Sequence, residues 1–428
     1  MVARMKSAEA PTGTGHAARR GAAAYVGAYA AARIIGFAGQ IYLARLLAPG
    51  AFGLYSFSLA YTALASTILD LGLTAALVAR RDESSTADIA AVFWIQSMAV
   101  GAGCAASALA APALANLLSL SPEGATLLRV FAAGVFLLSL RAVPLAYLER
   151  QLRFRDAALV ELIGTAGFYG AACGAAAAGA GPIAFGYGAL AWGASGAASA
   201  WILAGRHGLS APFPFPAAAD LRRIFGQLTF GLSFQGVRVF STLRDHAAGL
   251  LAGPALSATG LGFFQVGLSY ASLPMGLVNA ASRVLFPAVA RLSREDGTQA
   301  DRVAGRAVLY ATLFGSAASV ALLFAAPTAI RLLYGEKWSH ATDALPGLTV
   351  NMIGGYIASS IVPVFLASGR HRIALVTTVL WCAATFVLVW TLSRRDGVSG
   401  LGWAYGLPAA AAAASLLWTW RSSNAGAI

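Results

Sequence analysis

The sequence predicts an all-α, polytopic membrane protein, and three observations support this fold class. Of the 428 residues, 58% are apolar and 11% are charged, whereas soluble domains carry about 25% charged residues. The mean hydropathy is +0.69. Apolar runs of about twenty residues recur from Gly21 onward, each long enough to cross a hydrocarbon core roughly 30 Å thick. These runs lack the alternating pattern of barrel strands, so helices are expected.

About twelve membrane-spanning helices are expected, with Gly and Pro marking the turns, as in LAPGAFG, SLSPEG and GAGP. The predicted spans are residues 22–48, 54–79, 89–112, 125–147, 157–179, 182–204, 226–250, 257–280, 306–330, 344–367, 371–392 and 399–421. They form two six-helix lobes. The predicted organisation is a basic N-terminus (1–20), an N-lobe (21–205), a linker with an amphipathic segment (206–225), a C-lobe (226–421) and a short tail (422–428).

The distribution of Lys and Arg predicts that both termini are cytoplasmic. With the N-terminus inside, the cytoplasmic connections hold twenty of these residues and the outer ones hold five. One predicted helix more or fewer would remove this excess of Lys and Arg on the cytoplasmic side. The first apolar stretch contains Arg33 and has no convincing cleavage site, so a cleaved signal peptide is not expected.

One decapeptide pattern occurs twice, as FGLYSFSLAY from Phe52 and as LGFFQVGLSY from Leu261. The two copies lie at the start of predicted helices two and eight, the same place in each lobe. Because each lobe has an even number of helices, both copies enter from the same side. This predicts a parallel repeat about an axis along the membrane normal, an arrangement typical of transporters.

Charged residues inside the helices indicate a polar path, because each costs about 2.5–3.5 kcal/mol at the bilayer centre. Helix seven carries one polar face, formed by Gly231, Gln235, Arg238, Thr242 and Asp245. In helix one, Tyr29, Arg33 and Gln40 share a narrow arc that Ala44 continues. Facing each other, these two stripes are predicted to line a hydrated cleft between the lobes, with Arg33 and Arg238 touching the substrate.

The other charged helix residues leave alternatives open. Arg45 and Arg129 lie near helix ends, which favours local neutralisation. Arg141 and Arg244 are candidates either for substrate contact or for local ion pairs. Three acids, Asp70, Glu161 and Asp245, are candidates for ion pairing with arginines or for binding a coupling cation or proton, and pairing is favoured. Four deep arginines against three acids make the expected cleft cationic by a narrow margin.

Several function classes are disfavoured by the sequence. The net charge of +13 is spread over short loops, which argues against nucleic acid as a partner. Cys104, Cys173 and Cys382 are isolated, and the five histidines are scattered, so no metal or cofactor site is expected. No Ser/His/Asp arrangement or phosphate-binding GxxxxGK[ST] motif is present, so an enzyme or an ATPase is not expected.

Four phrases resemble a known family. They are YLARLLAPGAFGLYSFSLAY from Tyr42, LDLGLTAALVAR from Leu69, RVLFPAVARLSRED from Arg283 and RLLYGEKW from Arg331. Together, over roughly residues 21–420, they resemble bacterial polysaccharide-biosynthesis flippases of the multidrug/oligosaccharidyl-lipid/polysaccharide exporter superfamily. The resemblance implies two six-helix bundles around a V-shaped cavity, in the bacterial inner membrane.

The implied cargo is an oligosaccharide on polyprenyl pyrophosphate, flipped from the cytoplasmic to the periplasmic leaflet by alternating access. Arg33 and Arg238, with Arg141 and Arg244, would then hold the pyrophosphate, because guanidinium groups bind such anions in forked geometry. The two amides, Gln40 and Gln235, would bond the first sugar. Membrane lipid, a polysaccharide polymerase and glycosyltransferases are the implied partners.

Three alternative functions remain open from the sequence. A multidrug cation antiporter of the same superfamily should carry more acids than arginines in its cavity. A lipid II flippase is similar in mechanism, although those relatives typically carry two extra helices. A polytopic glycosyltransferase or ligase needs a sizeable outer loop with acids or His, and the longest outer loops here, around 119–124 and 334–343, are short.

Overall fold

The computed structural model describes residues 14–69, 86–117, 121–151, 153–209, 215, 228–276, 297–367 and 371–425. Within these ranges the chain is helical, apart from short turns, and contains no β-strand. This confirms the all-α prediction. Asp70, most of the linker and the RVLFPAVARLSRED phrase lie outside the described residues, so their predicted roles are unaltered.

The first part of the chain, called here the N-terminal half, contains seven helices among its described residues. They are α1 (Thr14–Leu46), α2 (Pro49–Leu69), α3 (Thr86–Leu117), α4 (Pro122–Ser139), α5 (Ala142–Arg150), α6 (Phe154–Ala177) and α7 (Ala184–Gly205), with a 3-10 turn Gly181–Ile183 before α7. Proline occupies the first position of α2 and of α4, where its missing N–H has no intrahelical partner to lose. Helix α6 packs between α1 and α7, and α4 packs between α3 and α7.

The fourth predicted span, 125–147, is broken into α4 and α5 at Leu140 and Arg141. Pro144 explains the position of the break. Proline lacks an N–H, and its ring clashes with the carbonyl four residues earlier, which here belongs to Leu140. The break leaves Arg141 at the N-terminal end of α5.

The C-terminal half contains six helices in the described residues. They are α8 (Leu228–Asp245), α9 (Ala247–Leu251), α10 (Gly253–Ala271), α11 (Gly297–Leu333), α12 (Leu345–Ala367) and α13 (His371–Ala425), with a 3-10 segment Glu336–Ala344 before α12. Ser257 interrupts α10 at φ 60°, so its regular part starts next to the predicted boundary at 257. Gly397 interrupts α13 at φ 63°, a conformation that glycine adopts without a Cβ clash, and it separates the last two predicted spans.

The seventh predicted span, 226–250, is not one helix, because the chain leaves helical geometry at His246. The break is stabilised from outside the helix. The buried Tyr405 hydroxyl accepts a hydrogen bond from the Ala248 N–H at 2.9 Å. A backbone donor freed at a break inside an apolar environment needs such a partner.

Seven stretches of the described chain are long and apolar enough to cross a membrane. One of them, Arg372–Arg421, is 50 residues long and contains both of the last two predicted spans. Every predicted span overlaps a helix of the structure. The polytopic fold class is therefore confirmed, while the number of twelve crossings and the domain boundaries stay predictions.

The two copies of the repeated pattern lie against each other, because α2 packs along α10. A methyl group on Gly53 would overlap the Ala258 carbonyl oxygen, and one on Gly262 would overlap the Pro49 carbonyl oxygen. The two contacts are reciprocal, since 49 and 53 become 258 and 262 with the same offset of 209. Such reciprocity is what a two-fold axis between two similar halves produces. Glycine at both positions lets the two backbones touch.

Candidate functional site

A cavity of about 630 Å³ lies between the N-terminal half and α10. Its volume is typical of small-molecule sites, which span roughly 300–1,000 Å³. Helices α1, α2, α4, α6 and α7 form most of its wall, and α10 with the turn after it forms the rest. The lining residues are Tyr29, Ala30, Ala32, Arg33, Ile34, Gly36, Phe37, Gln40, Tyr55, Phe131, Glu161, Thr165, Phe168, Tyr169, Trp192, Ser269, Ser272, Leu273 and Gly276.

Arg33 is the arginine of this wall, and its side chain is exposed to the cavity. Its Nε and Nη2 donate hydrogen bonds to the Tyr29 hydroxyl, at 3.2 and 2.9 Å. The guanidinium also lies 5.3 Å from the centre of the Tyr29 ring. Tyr29 and Arg33 are one helical turn apart, so α1 itself orients the guanidinium. Gln40, from the same predicted arc, lines the cavity as well.

Two aromatic side chains of the wall are seated in notches that glycines create. The Tyr169 ring lies against α1 at Gly36 and Gly39, where a methyl group on Gly39 would overlap the ring. The Trp192 indole lies against α6 at Gly164, where an added methyl group would come within 2.8 Å of it. Because neighbouring backbone holds both rings, they form a fixed aromatic surface.

Arg141 does not line the cavity but lies behind its wall. Its Nη1 donates a 3.0 Å hydrogen bond to Glu161 Oε2 in an ion pair, and its guanidinium lies 5.6 Å from the Trp192 ring centre. The Arg141 side chain is 15% exposed and the Glu161 side chain 44% exposed. Glu161 therefore presents a carboxylate to the cavity while Arg141 neutralises it from behind.

Arg244 is likewise paired, at the end of α8. Its Nη2 and Nε donate to Asp245 Oδ1 at 2.7 and 2.9 Å, and its guanidinium lies 3.9 Å from the Trp381 ring centre. The Asp245 backbone carbonyl accepts a 3.4 Å hydrogen bond from the Tyr405 hydroxyl. This cluster joins α8 to α13 within the C-terminal half, and neither Arg244 nor Asp245 lines the cavity.

The predicted polar face of α8 does not form the opposite wall through its described side chains, which are residues 236–245. Thr242 instead lies 3.3 Å from the Thr67 hydroxyl of α2, and Arg238 is exposed but absent from the cavity lining. The Gln235 side chain lies outside the described set, as does Asp70. Arg33 and Gln40 are thus brought together, and the substrate roles of Gln235, Arg238, Arg141 and Arg244 stay predictions.

The C-terminal half contributes Ser269 and Ser272 to the cavity, two residues that were not predicted as site residues. A small chamber of about 50 Å³ continues from the cavity, lined by Gln40, Leu43, Phe52, Tyr55, Phe168, Tyr169, Phe185, Gln265 and Ser269. Gln265 and Ser269 stand one helical turn apart inside the second repeated decapeptide. That spacing was the available signal for a polar stripe on α10.

No group of His, Cys, Asp and Glu capable of holding a metal ion occurs among the described residues. The three cysteines are free thiols and lie in different helices. Arg129, in the middle of α4, donates a 3.2 Å hydrogen bond to the Ala108 carbonyl of α3. The chemistry available in the cavity is therefore binding by cation, carboxylate, hydroxyl, amide and aromatic groups.

Sequence comparison identifies the family. Residues 42–343 match the profile of a family described as polysaccharide biosynthesis protein. Lipopolysaccharide biosynthesis protein WzxC of Escherichia coli (strain K12) is 24% identical over 349 residues, which cover 79% of this chain and 68% of that relative.

Solved transporters have the same fold. Lipid II flippase MurJ, in an inward closed conformation, matches with a TM-score of 0.74 at 14% identity, over 93% of this chain and 87% of that one. An inward-facing multidrug resistance MATE family transporter of the MOP superfamily matches with a TM-score of 0.68 at 17% identity, over 94% and 95% of the two chains. The chain therefore belongs to the polysaccharide biosynthesis protein family and is a multi-pass membrane protein with the fold of these solved transporters.

Proposed function

We propose that the protein flips a polyprenyl-pyrophosphate-linked oligosaccharide from the cytoplasmic to the periplasmic leaflet of the bacterial inner membrane, by alternating access. The product would serve synthesis of a surface polysaccharide such as O-antigen, capsule or exopolysaccharide. Membership in a polysaccharide biosynthesis family and similarity to a lipopolysaccharide biosynthesis protein support this cargo class.

The observation that carries the proposal is the exposed guanidinium of Arg33 in the cavity. Among the described residues its hydrogen bonds go only to Tyr29, and they use two of its five N–H groups. The remaining donors are available for the oxygens of a pyrophosphate, which guanidinium binds through charge-assisted, forked hydrogen bonds. A binding anion would thus meet a cation already oriented by Tyr29.

The rest of the cavity suits a sugar. A pyranose ring has apolar C–H faces and a rim of hydroxyls, so it is complementary to a wall that mixes aromatic surfaces with hydrogen-bonding groups. Tyr169 and Trp192 provide the fixed aromatic surfaces, and Gln40, Ser269 and Ser272 provide amide and hydroxyl partners.

The rim of the cavity suits the lipid tail. Ile34 of α1 and Leu273, just after α10, both line the cavity and are 69% and 36% exposed. This apolar border between the two halves allows a polyprenyl chain to stay in the membrane while its headgroup enters the cavity. The long hydrocarbon tail therefore need not enter the cavity with the headgroup.

The test is transport of a fluorescent polyprenyl-pyrophosphate oligosaccharide in proteoliposomes, comparing the parent protein with Arg33→Gln. A charge-assisted hydrogen bond contributes about 1.5–3 kcal/mol, so we expect the initial rate to fall about 10- to 100-fold. Arg33→Lys keeps the charge without the fork and should show an intermediate rate. Arg129→Gln removes an arginine that lies off the cavity and should transport like the parent.

Parallel reconstitutions with lipid II and with a fluorescent organic cation address the alternative cargoes. The proposal fails if either compound moves while the lipid-linked oligosaccharide does not. The anion-binding role proposed for Arg33 fails if the Arg33→Gln and Arg129→Gln variants transport equally well at equal protein levels.

A further inference from the structure

Helices α1 and α11 end beside each other. At each end a basic side chain donates hydrogen bonds to backbone carbonyls at the end of the other helix. Arg45, in the last turn of α1, donates from Nε to the Leu333 carbonyl at 2.9 Å and from Nη2 to the Leu332 carbonyl at 2.8 Å. Lys337, just beyond α11, donates from Nζ to the carbonyls of Arg45 and Leu47, at 3.0 and 2.8 Å. A helix C-terminus leaves carbonyls unpaired and carries partial negative charge. Each half of the protein therefore caps a helix of the other half with a cation.

Trp338 completes this junction by filling the space between the halves. Its Nε1 donates a 2.8 Å hydrogen bond to the Ala44 carbonyl of α1, and the side chain is fully buried. Its ring meets Phe52 of α2 edge-on, with 4.9 Å between centroids, and lies 6.1 Å from Phe263 of α10. The indole is thus wedged between the two repeated decapeptides. We call Arg45, Lys337 and Trp338 the clamp.

The clamp lies where the cavity ends. Along α1, Arg33 and Ile34 are exposed at the cavity, and Gln40 lines both the cavity and the small chamber. Leu43 and Ala44 then have no exposed surface, and Arg45 of the clamp follows. Phe52 separates the chamber from Trp338, because it lines the former and touches the latter. A solute in the cavity can leave past this end of the molecule only when the clamp opens.

We propose that Arg45, Lys337 and Trp338 form the gate that closes the outer side of the cavity. This inference rests on the proposed function for the assignment of the outer side, which follows from the predicted placement of lysines and arginines. Both cations lie at the exposed rim and bond to backbone carbonyls. Opening therefore exchanges their carbonyl partners for water and, within the described part of the chain, separates no ion pair.

The test measures access to the small chamber from the outer side. In a background with Cys104, Cys173 and Cys382 replaced by Ala, Gln265→Cys places one thiol in the chamber, and a membrane-impermeant maleimide is added outside spheroplasts. In the parent the labelling should be slow. With Arg45→Gln and Lys337→Met together we expect at least about tenfold faster labelling, because losing even one charge-assisted hydrogen bond shifts the closed–open equilibrium by about that factor.

The matched control is Arg331→Gln in the same background. Arg331 neighbours the clamp but pairs with Glu336 at 2.8 Å, both being mostly exposed, so labelling should match the parent. A second variant, Trp338→Phe, keeps an aromatic ring but loses the bond to Ala44 and part of the buried ring surface, and it should give an intermediate rate. Monodisperse elution in detergent identifies variants that are folded. Complete labelling in detergent shows that the thiol at residue 265 can react.

Equal labelling of folded parent and clamp variants overturns the gate, as does equal acceleration by Arg331→Gln. The measurement needs no cargo. The gate can therefore stand if lipid-linked oligosaccharide proves to be the wrong substrate, and transport through Arg33 can stand if the gate is located elsewhere.

Discussion

Arg33 and Arg141 are both arginines in apolar helices, yet their surroundings give them different electrostatic roles. Arg33 is exposed to the cavity and hydrogen-bonded to Tyr29, so it can take up an anion. Arg141 is mostly buried and paired with Glu161. Removing Glu161 would leave the mostly buried Arg141 charge without its partner, which costs more than the pair contributes. Arg141 is therefore expected to maintain the cavity wall.

A double-mutant cycle checks this role. Arg141→Gln and Glu161→Gln should each lower the thermal unfolding midpoint in detergent, and the double variant should lose less than the sum. The expected coupling energy is about 0.5–3 kcal/mol. The reference is the exposed pair of Arg331 and Glu336, whose cycle should give about 0–1 kcal/mol. Additive losses at Arg141 and Glu161 would show that the pair contributes nothing to the wall.

Helices pack closely where a glycine leaves no side chain between two backbones. The contact between α2 and α10 depends on two such glycines. Gly53 and Gly262 place each backbone against a carbonyl of the other helix. The breaks within helices have equally local causes. Pro144 ends α4, Gly397 divides α13, and the Tyr405 hydroxyl stabilises the break between α8 and α9. Each of these sequence features sets a direction change that helical periodicity alone does not encode.

Alanine at either contact glycine should destabilise the protein. In Gly53→Ala and Gly262→Ala the new methyl group meets backbone, which cannot rotate away, and overpacking of this kind costs about 1–3 kcal/mol. We expect the thermal midpoint in detergent to fall by several degrees. Gly174→Ala is the matched control, because its new methyl group meets nothing within 4 Å and alanine favours helix. Equal midpoints for Gly53→Ala and Gly174→Ala would contradict the contact.

In the molecule as a whole, one junction along α2 and α10 separates a cavity from a clamp. The cavity opens between the halves near Arg33, and the clamp joins them near Arg45. Because the two features lie at opposite ends of the same part of α1, opening one end while the other is closed requires the halves to tilt about the junction. This is the geometry that alternating access uses.

Reporter fusions test the orientation that both proposals use. Alkaline phosphatase is active only outside the cytoplasm, so fusions after Gly179 and Gly335 should be active. Fusions after Arg206 and Arg421 should be inactive, by the predicted excess of cytoplasmic Lys and Arg. High activity at Arg421 would place the C-terminus outside and would move the clamp to the cytoplasmic side.

Composition, hydropathy and helical periodicity were sufficient to predict the membrane class, the all-α fold and the placement of Tyr29, Arg33 and Gln40 on one face. These are local properties, since a helix fixes which of its own residues share a side. The repeated decapeptide also predicted that the halves resemble each other. The resemblance of four phrases to polysaccharide-biosynthesis flippases gave the family, which the profile match at residues 42–343 confirms.

Folding in three dimensions determined which helices face each other and which charges meet. Arg141 pairs with Glu161, which is 20 residues away in sequence, and Arg45 donates a hydrogen bond to the Leu333 carbonyl, which is 288 residues away. Among the described side chains, the second cavity wall comes from α10, whereas the sequence indicated α8, whose described residues contact α2 and α13. The reason is that periodicity gives the faces of a helix but leaves its rotation toward its neighbours undefined. Close backbone contacts such as those at Gly53 and Gly262 fix that rotation.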